Sequence, residues 1–214
     1  MFRRTLLSSA LPALAAPALL LRAGPAMAQA PGGNRAAQLA RIEAYMNGLT
    51  TLQARFLQIA QNGGAAEGTA LIWRPGRMRF EYDAPVPLLL VASDGQFLHY
   101  DKELRQPSIV PVSSTPLGFL LRPRITFTTG DLEVIGLERV GGLLRVGMRR
   151  KAAPAEGSLT LVFAEDPMEL RQWVVVDAQG QQTRVTLTQI QTGMRFDPLV
   201  FQFNDPRFFE QQVR

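Results

Sequence analysis

Cysteine is absent from the 214-residue chain, and histidine occurs once, at His99. These absences exclude disulfides, thiolate or His-rich metal centres, cysteine nucleophiles and lipidation at a terminal cysteine. Stability has to come from packing instead. Charge is sparse and nearly balanced, with 23 basic residues against 18 acidic ones. Arg3, Arg4 and Arg22 stand in an N-terminal leader, so the formal net charge of +5 falls to +2 once that leader is gone. Nothing in that balance asks for a nucleic-acid partner. No G-x-S-x-G nucleophile elbow occurs, and the phosphate-loop spacing of Gly63 and Gly68 fails because Thr69 stands where lysine is required. Internal repeats are lacking too.

What is present begins with the leader. Residues 1–28 read as a cleavable secretory signal: Arg3 and Arg4 start it, Thr5 to Leu21 is nearly uncharged, and Ala26-Met27-Ala28 is an A-x-A cleavage site. Pro12, Pro17 and Arg22 weigh against a retained membrane anchor. The double arginine leaves the general secretory and twin-arginine routes open. Residues 29–214 are then expected to form a single domain, large enough for its own core.

Along that domain the hydrophobic period changes once. Asn34 can cap a helix in which Leu39, Ile42, Met46 and Leu49 recur at near-helical spacing. From Thr51 the period is two. Leu52, Ala54 and Phe56 alternate with Gln53 and Arg55 before the Asn62-Gly63-Gly64 turn. Further strands are expected over 68–74, 77–83, 88–92, 96–101, 106–111, 131–139, 143–150, 158–164, 170–176 and 181–192. Turns such as Ser93-Asp94-Gly95, Gly141-Gly142 and Asp177 to Gly180 separate several of them. Thr115-Pro116 starts a second, short apolar helix, Leu117 to Leu121, which Arg122-Pro123 stops. The pattern is mainly β: about 10–11 antiparallel strands in a strongly curved, unclosed half-barrel, with the two helices as a lid over an apolar concave face.

Enzymatic chemistry is thinly supported. His99 lies in the alternating strand Phe97-Leu98-His99-Tyr100 without a visible nucleophile, and reads as structural. Asp101 with Glu103, and Glu165 with Asp166, fall in turns where solvated charge explains them. The basic residues Arg145, Arg149, Arg150 and Lys151, like Arg77 and Arg79, read as solvated faces and loops. Arg74 differs. It shares strand parity with Ala70 and Ile72, so its guanidinium points to the apolar side and needs acceptors, for which carbonyls near Leu117 to Leu121 are candidates.

An ordered set of residues resembles the periplasmic outer-membrane lipoprotein carrier family, the LolA type. It comprises the helix-to-strand passage Leu49 to Phe56 with Gln58, then Gly68, Arg74-Pro75 and Phe80-Glu81-Tyr82. It continues with Val91 and Ser93-Asp94-Gly95, Tyr100-Asp101, and the closing Phe201-x-Phe203-x-x-Pro206. Trp73 and Met78 depart from the family's usual residues.

The resemblance implies a non-enzymatic, cofactor-free carrier, acting as a monomer in the periplasm. Its implied partners are acylated lipoproteins, an inner-membrane ABC-type release complex and an outer-membrane lipoprotein receptor. Arg74 is then expected to latch the lid. The cavity wall is expected from Ile72, Met78, Phe80, Tyr82 and Leu90, and the lid from Leu39, Ile42, Met46, Leu117, Leu120 and Leu121. Burial of acyl chains at about 0.8 kcal/mol per CH₂ calls for such a cavity, and a latched lid would keep that affinity reversible. A lipid-binding sensor or regulator, a carrier of another envelope lipid, and an envelope scaffold remain as alternative uses of the same half-barrel.

Overall fold

The computed structural model describes residues 31–203; the leader with its cleavage site, and the tail containing Pro206, lie outside the described residues. One α-helix, α1 (Pro31–Gly48), precedes eleven strands. They are β1 (Thr51–Ala60), β2 (Ala65–Trp73), β3 (Arg77–Tyr82), β4 (Leu88–Ser93), β5 (Gln96–Asp101) and β6 (Gln106–Pro111). After the crossover come β7 (Leu132–Val140), β8 (Leu143–Arg150), β9 (Ser158–Glu165), β10 (Met168–Val176) and β11 (Gln182–Thr192).

All eleven strands join one sheet in the order β6-β5-β4-β3-β2-β1-β11-β10-β9-β8-β7, and the sheet does not close. The hairpins follow from local turn chemistry. Asp94 and Gly95, both at positive φ (50° and 77°), make the two-residue β4–β5 turn that matches strand twist. The central β1–β11 pairing, Phe56 opposite Leu187 and Gln58 opposite Val185, welds the two halves together. Consecutive strands β6 and β7 therefore end up at opposite edges of the sheet. Residues 112–131, which join them, must run from one edge to the other, across the mouth of the trough.

That span explains a departure from the sequence expectation. The Leu117-to-Leu121 segment is no α-helix but a 3-10 turn, Pro116–Phe119, continued by irregular chain. Its bonds run three residues back, Leu120 N–H to Leu117 O and Leu121 N–H to Gly118 O. Pro116, Gly118 and Pro123 disfavour a longer helix, and the distance to be bridged favours extended chain. At the other end, α1 starts at Pro31 rather than at an Asn34 cap, with proline at the first helical position.

The concave face carries the main core, including Leu52, Phe56, Ile72, Phe80, Leu161, Phe163 and Leu187. Gly68 is needed there for space. A Cβ would lie 2.7 Å from the Phe56 ring and 2.1 Å from the Glu81 carbonyl oxygen. The expectation of a single apolar face needs correction, however. Leu88-Leu89-Leu90-Val91 is a continuous apolar run, the signature of a strand covered on both sides. Leu89, Val91 and Leu98 form a second cluster on the convex side, with Phe203 packed against it. The segment leading there includes a 3-10 turn, Pro198–Phe201, capped by the Asp197 carboxylate. It also buries Arg79, expected on a solvated face but only 3% exposed. Arg79 donates to the Val200 carbonyl oxygen at 3.1 Å and pairs with Glu81 at 3.0 Å.

Candidate functional site

The mouth of the trough is covered by α1 and the crossover, and side chains fasten these two to each other. Asn47 of α1 donates to the Ile125 carbonyl oxygen and accepts from the Ile125 N–H, both at 2.9 Å. Glu43 accepts from the Phe127 N–H. The helix is also tied to the sheet, where the Tyr45 hydroxyl accepts from Leu170 N–H at 3.0 Å and the ring meets Phe163 edge-on. Glu165, set aside as solvated charge, is instead gripped by Arg41 and Arg139, and its carboxyl is held below the usual range by them.

Arg74 reaches both lid pieces at once. It follows β2, is 7% exposed, and donates Nη1 to Leu49 O at 3.3 Å and Nη2 to Arg122 O at 2.8 Å. Leu49 closes α1, so the cation sits at the negative end of the helix dipole. The neighbouring backbone joins in, with Arg74 N–H to Thr50 O at 2.7 Å and Gly76 N–H to Leu121 O at 2.9 Å. Burial pushes the guanidinium pKa down, and its Nε finds no partner. The desolvation of this buried cation works against the gain from its two carbonyl bonds. Farther along the crossover, Arg122 forms a two-pronged pair with Asp131 at 2.6 and 2.7 Å, which holds the Asp131 carboxyl down at about 2. Arg122 and Arg150 both lie over the Phe119 ring, 4.9 and 5.6 Å from its centre.

Beside the lid the concave face is not filled. A hollow of about 250 Å³ remains, and Met78, Phe80, Tyr82, Leu90 and Leu117 line it. The other residues named from the sequence lie elsewhere. Ile72, Leu39, Ile42, Met46, Leu120 and Leu121 are sealed in the core, between 0 and 7% exposed, where lid and sheet pack directly. The helix thus plugs one end of the trough and leaves the other vacant.

Sequence reasoning missed eight of the thirteen lining residues. On the near side these are Gln58 of β1, Leu88 of β4, and Phe97 and His99 of β5. On the far side they are Trp173 and Val175 of β10, with Thr183 and Val185 of β11. Strand parity was available for each, since Gln58 shares its face with Phe56 and Val185 with Leu187. The missing information was the β1–β11 pairing, which brings the two halves of the chain side by side. His99, read as structural, borders this hollow, and its imidazole makes no hydrogen bond to another described residue.

Tyr82 donates its hydroxyl to Gln58 Oε1 at 2.7 Å, and burial pushes its pKa up to about 12, so it stays neutral. No Asp, Glu, Lys or Arg side chain lines the hollow, where His99 is the one imidazole, and among the described residues no three His, Asp or Glu side chains converge as a metal site. Most of the wall is hydrocarbon, a surface that suits an apolar ligand. A larger surface groove, about 610 Å³ at the ends of β1, β10 and β11, is bordered by exposed Gln61, Gln182 and Arg184 and offers no comparable shelter.

Comparison with known proteins gives consistent matches. Residues 47–204 match the family model of the outer membrane lipoprotein carrier protein LolA. The outer-membrane lipoprotein carrier protein of Methylococcus capsulatus is 27% identical over 175 residues, covering 78% of this chain and 83% of that one. That of Azotobacter vinelandii is 26% identical over 200 residues, covering 88% and 94%. Among solved structures, a LolA superfamily protein from Nitrosomonas europaea aligns over 77% of this chain and 97% of its own, with a TM-score of 0.43 and 7% identity.

Proposed function

Since the chain belongs to the outer membrane lipoprotein carrier (LolA) family, a family of carriers rather than enzymes, we propose that it shields the acyl chains of lipoproteins and ferries them through the periplasm from the inner to the outer membrane. The observation that carries this reading is the vacant apolar hollow beside a lid fastened by one buried arginine. A hollow of about 250 Å³ falls below the roughly 300–1,000 Å³ usual for ligand pockets. The described state is therefore the closed one, and cargo must displace part of α1 or the crossover.

In this reading Leu39, Ile42, Met46, Leu120 and Leu121 leave the sheet as acyl chains take their place against Ile72, Met78, Phe80, Tyr82 and Leu90. Arg74 re-forms its two bonds when the cargo departs. An ABC-type release complex would load the carrier and an outer-membrane receptor would unload it, with the carrier itself a monomer.

The direct test is to incubate the purified protein with inner-membrane vesicles bearing a triacylated lipoprotein and an energised release complex. Appearance of the lipoprotein in the soluble fraction, in a one-to-one complex with this chain, is the expected result. Retention of all lipoprotein in the membrane pellet would refute the reading.

A further inference from the structure

The vacant hollow is not lined by hydrocarbon alone. Trp173 is 1% exposed, and its indole N–H is buried without an acceptor. Gln58 accepts the Tyr82 hydrogen bond on its carbonyl oxygen, which leaves its amide NH₂ without a partner among the described residues. Gln58 and Trp173 are each directly opposite Val185, on β1 and β10 respectively, so the two donors flank one residue in a single row of the sheet. Both free groups can only donate. A buried donor left unpaired is unfavourable, so a ligand that fills this space gains by bringing acceptor oxygens.

The charge of those oxygens is also constrained. No Lys or Arg is in the lining, and the one imidazole, His99, is exposed on β5, four strands along the sheet from Gln58 on β1, so a phosphate or carboxylate beside Gln58 and Trp173 would sit unpaired against an apolar wall. An uncharged carbonyl meets both conditions.

We propose that Gln58 and Trp173 form a carbonyl-reading pair, seating the ester or amide oxygens at the head of the acyl chains while the chains run against Phe80, Leu90 and Phe97. The proposal rests on the carrier reading and specifies which part of the lipid is recognised. The indole N–H is covered in the closed state. Chains entering a hollow smaller than themselves spread the wall and uncover it.

The test uses dipalmitoylglycerol and its dihexadecyl ether, which differ in their carbonyl oxygens, in displacement of a hydrophobic fluorescent dye from the purified protein. One neutral hydrogen bond is worth about 1 kcal/mol, or roughly fivefold, so the ester should bind about five- to thirtyfold more tightly than the ether. Gln58→Leu and Trp173→Phe should each bring that ratio down by about fivefold. Because Trp173 is a core residue, the half-buried Gln58 variant carries the test if the other fails to fold. Equal binding of ester and ether, or a ratio untouched by Gln58→Leu, overturns the proposal and leaves the carrier reading standing. Binding of neither lipid, and of no diacylated lipopeptide, overturns both. A lipopeptide bound more tightly than the free diacylglycerol assigns the carbonyls to a protein-borne anchor; equal binding assigns them to glycerolipids generally. Either result supports the pair, provided the ester-over-ether ratio holds.

Discussion

Replacing Arg74 by leucine should make the protein hold its cargo longer. Two charge-assisted hydrogen bonds join Arg74 to Leu49 O and Arg122 O, each of a kind worth about 1.5–3 kcal/mol net. Against them stands the desolvation of a guanidinium that has no carboxylate partner in its bonds. A net contribution of about 2–3 kcal/mol to the closed state is reasonable, and at 1.4 kcal/mol per factor of ten it corresponds to a roughly thirty- to hundredfold shift toward open. Leucine also leaves the two carbonyl oxygens without a protein donor, and opening lets water reach them. A ligand that binds only the open state has its apparent affinity scaled by the open fraction, so that fraction is what the substitution raises, up to the limit at which open predominates. The assay is release of a fluorescent triacylated lipopeptide from preloaded protein to acceptor liposomes. Slower release by Arg74→Leu, with Arg74→Lys intermediate because an ammonium cannot reach both carbonyls in the same fork, is the expected result. Equal or faster release by the leucine variant would refute the latch.

Other consequences can be measured independently. Asn47→Ala removes both bonds to Ile125, so hydrogen exchange over residues 122–129 should accelerate, with stability falling by about 1–2 kcal/mol in urea unfolding. Gly68→Ala forces a Cβ against the Glu81 carbonyl oxygen, a backbone atom that cannot swing away, and should cost about 1–3 kcal/mol in the same assay. Asp131 has its pKa depressed from the ordinary 3.8 to about 2 by Arg122, so the stability it contributes is complete above pH 3.8 and lost as pH falls through 2. Asp131→Asn should thus lower the melting temperature at pH 7, with the effect shrinking through pH 2 and gone near pH 1.

Local chemistry made most of the fold legible. Most strands declared themselves by alternation and β4 by its continuous apolar run, while Asp94-Gly95 or Gly141-Gly142 fixed hairpins between them. Arg74 could be assigned to the apolar side by parity alone, counting from Ala70 and Ile72. Long-range facts were not legible in this way. Nothing local in Thr51–Ala60 says that it pairs with Gln182–Thr192, so Trp173, Thr183 and Val185 could not be placed around the same hollow as Phe80. The same gap hid the fate of Arg79, whose cover comes from Val200, far along the chain. The crossover was misread for a related reason. Its apolar composition suits a helix, but its conformation is set by the edges it must connect.

The division of the trough between a plugged end and a vacant end bears on how a carrier can both bind and let go. Acyl chains bring about 0.8 kcal/mol for every CH₂ withdrawn from water, so a permanently open trough would bind them too firmly to pass them on. Here α1 and the crossover already cover much of the same wall through Ile42, Met46, Leu120 and Leu121, each at most 3% exposed. In the proposed carrier role, cargo would claim that surface only by exposing the lid residues that held it, so the hydrocarbon gain on binding would be offset by the apolar area uncovered on opening. What remains as net affinity is the difference between two similar burials, adjusted by Arg74 on the closed side and by whatever polar head the vacant end accepts. A difference of that kind is small, and therefore sensitive to a receptor that offers the chains a third place to go.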